Sequence, residues 1–278
     1  MYRTCVVRPA ELPDYDHPPL DEVGVGVQFA ELPLFSDAHI GLYWQKVRSD
    51  FPKVESHPRL NAPVEDFTAP AKPVGGMPPG LMSVNMKQRT WLISEDDAEL
   101  VQLQSNLFMF NWRRREADYP RFEHVMSRFS ERYATFLRLL EVESLPAPRV
   151  EQIEVVYVNW ITDLKLHEFL LPGSQGSIGG PESPGEYPED QAWLARFTLR
   201  DESSVPKARL VVECQSAVRL DRDEWVQGGQ LSLSYRAPVN GPVDLSVIED
   251  IALQARRTIV TAFDRLTTVQ AHDHWGRR

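Results

Sequence analysis

The sequence predicts an α+β protein made of two related halves, residues 1–146 and 147–278. The first reason is that two long stretches carry apolar side chains at the same helical spacing, with Ile248 lying 126 residues after Phe122. The second is that each half reads as a strand, a helix, three strands and a long helix. The matched positions are Phe122, Val125, Met126, Phe129, Tyr133, Phe136, Leu137 and Leu140, and then Ile248, Ile251, Ala252, Ala255, Ile259, Ala262, Phe263 and Leu266.

This repeat predicts that antiparallel sheets grip the two long helices. Any long helix that lies on a sheet shows such spacing, so the matching order of elements is what favours a duplication. One curved sheet shared by both halves, as in saddle-shaped or helix-grip folds, fits that order. The comparison is at the level of the fold and implies no function.

In the N-terminal half, Val23 to Phe29 alternates apolar side chains with glycine or glutamine, which predicts a strand with one buried face. Gly24 and Gly26 leave the other face of the strand with few side chains. Ser36 opens a helix that Pro52 ends. The remaining predictions are strands at Thr90–Ser94, Glu99–Ser105 and Leu107–Arg113, and a long helix from about Tyr119 with Pro120 in its first turn.

In the C-terminal half, Pro146 and Pro148 mark the boundary with the first half. Glu151–Ile161 is apolar on both faces, which predicts a central strand. Ser246 and Glu249 form a capping-box pattern at the start of the final helix. The other predicted elements are a short helix at Asp163–Leu171 and strands at Ala192–Arg200, Arg209–Leu220 and Gln230–Arg236.

Two long loops are predicted, over 55–80 and 172–190, because both are rich in proline and glycine and lack periodicity. The glycines of the second loop could suggest a phosphate cradle. Pro181 and Pro184 follow where the required helix should begin, so we interpret the segment as a loop.

Composition favours an ordinary folded protein of the cytoplasm. The chain is 42% hydrophobic and 25% charged, with a net charge of -10 that disfavours nonspecific binding to nucleic acid or to anionic lipid. Cys5 and Cys214 cannot form a disulfide framework, which suggests a reducing compartment. Charged residues interrupt Met1–Pro19, so we expect neither a signal peptide nor a membrane span.

The densest basic cluster, Arg113 to Arg115, follows Asn111 and Trp112 between a predicted strand and a predicted helix. An anion or a partner could bind here, because a helix N-terminus and guanidinium groups both favour negative charge. The alternative is that these arginines pair on the surface with Glu116, Asp118 and Glu123, where each pair contributes about 0 to 1 kcal/mol.

Three further candidates lie in the second half. Asn159 shares a strand face with Tyr157, which predicts either a buried amide bonded to the backbone or a binding residue. In an extended segment His272 and His274 would share a face, but a structural zinc site needs four ligands and no motif completes one. We favour docking of the C-terminus by His272 and Trp275, with the terminal arginines left in water.

Five short segments mark the chain as a set: Pro18-Pro19-Leu20-Asp21-Glu22-Val23, Phe110-Asn111-Trp112-Arg113-Arg114, Tyr119-Pro120-Arg121, Tyr157-Val158-Asn159 and His272-Asp273-His274-Trp275-Gly276. Together they resemble a sporadically distributed bacterial family of uncharacterised hypothetical proteins, over nearly the whole chain. The resemblance implies a widespread bacterial module and brings no established activity or catalytic residue. Arg121, from the third segment, joins the candidate binding residues.

No catalytic motif such as GxSxG, a P-loop or a complete GxGxxG is present in the sequence, and no cofactor is expected. The leading hypothesis is a non-catalytic cytoplasmic protein that binds a macromolecular partner, most simply a protein, through its two loops, as a regulator or as an antitoxin-like or defence-associated factor. The second is nucleotide or single-stranded nucleic-acid binding near Trp112, Arg113 and Arg114. An enzyme of unknown class is the third, and a homodimer is compatible with all of them.

Overall fold

The computed structural model describes residues 11–60, 64–68, 88–162, 164, 166–170, 192–221, 224–240 and 243–278. In chain order the elements are β1 (Leu20–Phe29), α1 (Asp37–Val47), β2 (Lys53–Pro58), β3 (Gln88–Ile93), β4 (Glu99–Gln104), β5 (Leu107–Arg113), α2 (Phe122–Val142), β6 (Val150–Ile161), α3 (Leu166–Phe169), β7 (Ala192–Arg200), β8 (Pro206–Asp221), β9 (Glu224–Pro238), α4 (Leu245–Leu266) and α5 (Val269–His274).

Within these residues the nine strands form one antiparallel sheet in the order β2-β3-β4-β5-β1-β6-β9-β8-β7. The predicted α+β class is confirmed. The strands β5 and β7 have the predicted bounds, and β6 occupies the predicted central position. No helix among the described residues is long and apolar enough to cross a membrane.

The two halves meet in the middle of the sheet, where β1 pairs with β6 and Val25 lies opposite Val155. Outward from this pair the order is β1-β5-β4-β3-β2 on one side and β6-β9-β8-β7 on the other. Each half therefore uses its first strand at the centre and its last strand beside it. This correspondence supports the duplication, which stays a prediction.

Contacts between the long helices are also reciprocal. Arg256 Nη1 donates to Glu123 Oε1 at 2.6 Å, and Ser130 Oγ donates to Glu249 Oε1 at 3.0 Å. Under the offset of 126, Glu249 is the counterpart of Glu123 and Arg256 is the counterpart of Ser130. Elements related by a twofold axis make contacts of this kind.

Both predicted apolar stripes lie in or against one hydrophobic core on one face of the sheet, as expected. Helix α2 packs on β1 and β5, and α4 packs on β6 and β9. Phe108 lies in an aromatic cluster, with ring centroids 5.4 to 6.0 Å from those of Tyr43, Phe129 and Phe136. Burial of each such side chain contributes about 1.5 to 3 kcal/mol, which fixes the helices on the sheet.

Several predicted boundaries differ from those of the structure. The helix α2 begins at Phe122, so Pro120 lies outside it. The helix α4 begins at Leu245, because Asp244 rather than Ser246 caps it by accepting the Val247 amide at 3.0 Å. The strand β2 starts at Lys53 and overlaps the predicted loop only over residues 55–58, and the segment with His272 and His274 is the helix α5 rather than extended chain.

Candidate functional site

The segment that precedes β1 lies between two cavities at one end of the sheet. Pro18 and Leu20 line both of them. One, the tyrosine pocket, measures about 80 Å³ and includes Tyr119, Arg121, Tyr157, Asn159 and Arg256 in its lining. The other, the arginine cleft, measures about 380 Å³ and includes His17, Arg114, Trp160, Arg219 and His274 in its lining. The segments that the sequence singled out converge here.

In the tyrosine pocket two phenols face each other, with the hydroxyl oxygens of Tyr119 and Tyr157 3.4 Å apart. Burial raises the pKa of Tyr157 to about 12 and that of Tyr119 well above its ordinary value. Both side chains are therefore neutral at physiological pH. They can donate hydrogen bonds in this mostly apolar pocket but cannot supply a phenolate.

Asn159 and Arg121 take different roles in the same pocket. The Asn159 side chain is buried and its Nδ2 donates to the Leu231 carbonyl at 3.1 Å, which confirms the interpretation as a backbone-bonded amide. Arg121 has φ 77° and ψ 157°, a backbone region essentially restricted to glycine that costs about 1 to 3 kcal/mol. Its guanidinium holds Asp14 at 2.9 Å across the pocket rim.

The arginine cleft gathers cations from distant parts of the chain. Arg219 pairs with Asp21 at 3.0 Å and lies 4.5 Å from the centre of the Trp160 ring. Trp160 Nε1 is buried and makes no hydrogen bond within the described structure. The Arg114 backbone amide donates to the Asp21 carbonyl at 2.6 Å, which holds the arginine at the cleft wall.

At the C-terminus, Trp275 is buried and packs on Phe263 and Tyr15, with ring centroids 5.3 and 6.2 Å away. His272 Nε2 lies 2.8 Å from Thr267 Oγ1. The predicted docking of the C-terminus by these two residues is confirmed. The terminal Arg277 and Arg278 are exposed to solvent, as expected, and form ion pairs with Asp264 and Asp16.

His272 and His274 do not share a face, as they would in an extended segment. Both lie in α5, where successive residues are rotated by about 100°, so side chains two residues apart point to nearly opposite sides of the helix. Among the described residues no group of three or more His, Cys, Asp and Glu side chains is arranged to hold a metal ion.

The predicted cluster of Asn111, Trp112 and Arg113 is divided between the two faces of β5. Trp112 is buried in the helix-side core, 5.0 Å from the Tyr119 ring, so a base cannot stack on it. Asn111 and Arg113 lie on the opposite face because side chains alternate along a strand. The aromatic neighbour of Arg113 on that face is Trp91, at 6.0 Å.

Asn111 belongs to a buried chain of hydrogen bonds across four strands. Arg89 Nη1 donates to Gln102 Oε1, Gln102 Nε2 donates to Asn111 Oδ1, and Asn111 Nδ2 donates to Glu22 Oε1, at 2.8, 2.8 and 2.6 Å. A Cβ at Gly24 would lie 2.6 Å from the Asn111 amide. The glycine therefore makes the space that the amide needs to reach Glu22.

We expect Glu22→Gln to stabilise the protein at alkaline pH. Burial raises the pKa of Glu22 even though Arg113 lowers it, so the folded state binds the proton more tightly than the unfolded state. Stability then falls as pH rises through the folded-state pKa. Glutamine keeps an acceptor for Asn111 and removes the buried charge. The urea midpoint of the variant should exceed that of the wild type at pH 8, and the difference should shrink toward pH 4; parallel midpoints would contradict this.

The segment predicted as a free loop over 55–80 is anchored to the sheet where it is described. We call residues 59–60 and 64–68 the crossing segment. The Leu60 amide donates to Gln104 Oε1 at 3.1 Å, and the Glu65 amide donates to Gln152 Oε1 at 2.8 Å. Arg209 Nε donates to Glu65 Oε2 at 2.7 Å. These contacts anchor the predicted loop to the sheet at the described residues, its role in partner binding stays a prediction, and the loop over 172–190 lies outside the described residues.

Sequence reasoning missed Arg219 and Trp160. Both lie inside segments read only as strands, and no local pattern separates them from other strand residues. Tyr119 and Tyr157 lie inside two of the five short segments named above, but neither was predicted to be a binding residue. Only the sheet order β6-β9-β8 brings Trp160 of β6 and Arg219 of β8 together.

Comparison of the chain with protein-family models, with curated proteins and with solved structures finds no match. The function is therefore inferred from the structure alone. The resemblance to a bacterial family stays a prediction.

Proposed function

We propose that the protein acts in the cytoplasm by binding a protein partner, and that a projecting hairpin is the contact element. The projecting hairpin consists of residues 217–221 of β8 and 224–228 of β9. The observation that carries the proposal is that three apolar side chains on it, Val218, Leu220 and Trp225, are exposed, with Trp225 at 74%. Exposed apolar clusters of this kind typify interaction sites.

Strand pairing explains why the hairpin projects. In the described structure β7 begins opposite Gln215 and β6 ends opposite Gly229, so the hairpin extends past both neighbours. Leu220 lies directly opposite Trp225, and Val218 lies two residues from Leu220 on the same face. The hairpin thus combines an apolar face with strand edges that no described strand pairs.

These two features together indicate the chemistry of the partner. Unpaired strand edges supply backbone donors and acceptors to an added strand, and apolar side chains on alternate positions give such an addition its specificity. We therefore propose an extended segment of a second protein with alternating apolar side chains. A role as a regulator, or as an antitoxin-like or defence-associated factor, is part of the same proposal and depends on what that protein does.

Trp225→Ala is expected to abolish most partner binding without loss of stability. Tryptophan is among the residues that most often contribute 2 kcal/mol or more at interfaces, which corresponds to about 30-fold in affinity. The matched control is Leu34→Ala, because Leu34 is 70% exposed and lies outside the hairpin. Affinity purification from the native host should recover the same partner with wild type and Leu34→Ala and much less with Trp225→Ala. Equal recovery by all three, or no partner for the wild type, would contradict the proposal.

A further inference from the structure

We propose that the arginine cleft binds the phosphoryl group of a small metabolite. This site is separate from the partner surface. Side chains alternate along a strand, so Arg219 lies on one face of the hairpin and Leu220 lies on the other. The volume of about 380 Å³ falls within the range of about 300 to 1,000 Å³ that small-molecule pockets occupy.

Charge favours an anion in this cleft although the whole protein carries a net charge of -10. Arg114 and Arg219 line it together with His17 and His274, and Asp21 is the only acidic residue in its described lining. Arg219 already pairs with Asp21. The second guanidinium, that of Arg114, is then the uncompensated charge.

Arg114 has no hydrogen-bond or ion-pair partner for its side chain within the described part of the chain. The surface pairs with Glu116 and Asp118 that the sequence allowed are not formed in the structure described. A guanidinium presents donors in a planar fork that matches phosphate oxygens. Arg114 is therefore available to a ligand without breaking a contact of the folded protein.

Trp160 forms part of the cleft wall, although its Nε1 is itself buried and so is not a donor that a ligand could reach. Arg219 lies 4.5 Å from the centre of the Trp160 ring, and this stacking holds its guanidinium at the cleft wall. A phosphoryl group that enters the cleft can thus accept from Arg114 and from Arg219, whose guanidinium already lies at the wall. Preformed donors reduce the entropy lost on binding.

The test is calorimetric titration of the full chain with inorganic phosphate, adenosine monophosphate and adenosine. We expect both phosphate-bearing probes to bind and adenosine to bind much more weakly. Arg114→Gln should weaken phosphate binding about tenfold to a hundredfold, because a charge-assisted bond is lost, and should leave the melting temperature unchanged. The control Arg149→Gln removes an exposed arginine that pairs with Glu151 and should bind like the wild type.

A variant that is expected to tighten phosphate binding distinguishes the loss of a ligand contact from a loss of folding. Asp21→Asn removes the carboxylate that competes for Arg219 and should tighten phosphate binding severalfold. Trp225→Ala should leave phosphate binding unchanged, so a failure of the partner proposal is distinguishable from a failure here. Absence of phosphate binding by the wild type, equal binding of adenosine and adenosine monophosphate, or unchanged binding by Arg114→Gln would each overturn the proposal.

Discussion

Replacing Glu123 with alanine is expected to lower the free energy of unfolding by about 3 to 5 kcal/mol. The Glu123 carboxylate accepts from Arg256 Nη1 at 2.6 Å, and the Arg256 guanidinium is buried 5.4 Å from the centre of the Phe122 ring. Without Glu123 this charge stays in the core between α2 and α4 with no carboxylate. A buried ion pair that loses one partner costs far more than an exposed pair.

The chain supplies a matched control at the position related by the offset of 126. Glu249 accepts from the Ser130 hydroxyl at 3.0 Å, where the counterpart of Arg256 is uncharged. Glu249→Ala should therefore cost only about 1.5 kcal/mol. Urea unfolding of both variants measures the difference, and the double variant Glu123→Gln, Arg256→Met should recover most of the loss. Equal losses at Glu123 and Glu249 would show that the buried cation does not determine the effect.

Periodic apolar patterns predicted most of the scaffold correctly. The two helical stripes and strands such as β5 and β7 bury large side chains at regular intervals, so the pattern along the chain reports the structure directly. The strand β2 could not be found in this way, because Lys53–Pro58 is polar and lies at the edge of the sheet. Its pairing with β3 fixes it instead, and that pairing joins segments far apart in sequence.

Alternation along β5 was sufficient to divide the predicted binding cluster. A period of two already separates Asn111 and Arg113 from Trp112, so treating these neighbours as one site was an avoidable error. The grouping of Arg114 with Arg219 and Trp160 is different. It depends on the order β1-β6-β9-β8, which composition and local spacing do not specify. The sequence could thus predict single residues of the site and not their partners.

Glu65→Ala is expected to destabilise the protein by about 3 to 5 kcal/mol and to release the crossing segment from the sheet. Glu65 Oε2 accepts from Arg209 Nε at 2.7 Å, and the Arg209 side chain is only 7% exposed. Arg209 would keep the Thr198 hydroxyl at 2.8 Å, which carries no negative charge, and would lose the Phe67 ring, now at 4.9 Å, together with the released segment. Arg236, the other cation near Glu65, would keep Glu154 at 2.8 Å.

Burial rather than distance is what this prediction tests. The pair Arg149–Glu151 has the same separation of 2.7 Å, but its arginine is 78% exposed, so Glu151→Ala should cost at most about 1 kcal/mol. Hydrogen exchange should show faster exchange of the Glu65 amide in Glu65→Ala, because the segment from the N-terminal half would lose its charged anchor on β8. Equal destabilisation by the two alanine variants, or unchanged exchange at residue 65, would contradict the prediction and would leave the contacts with Gln104 and Gln152 as the anchors of the segment.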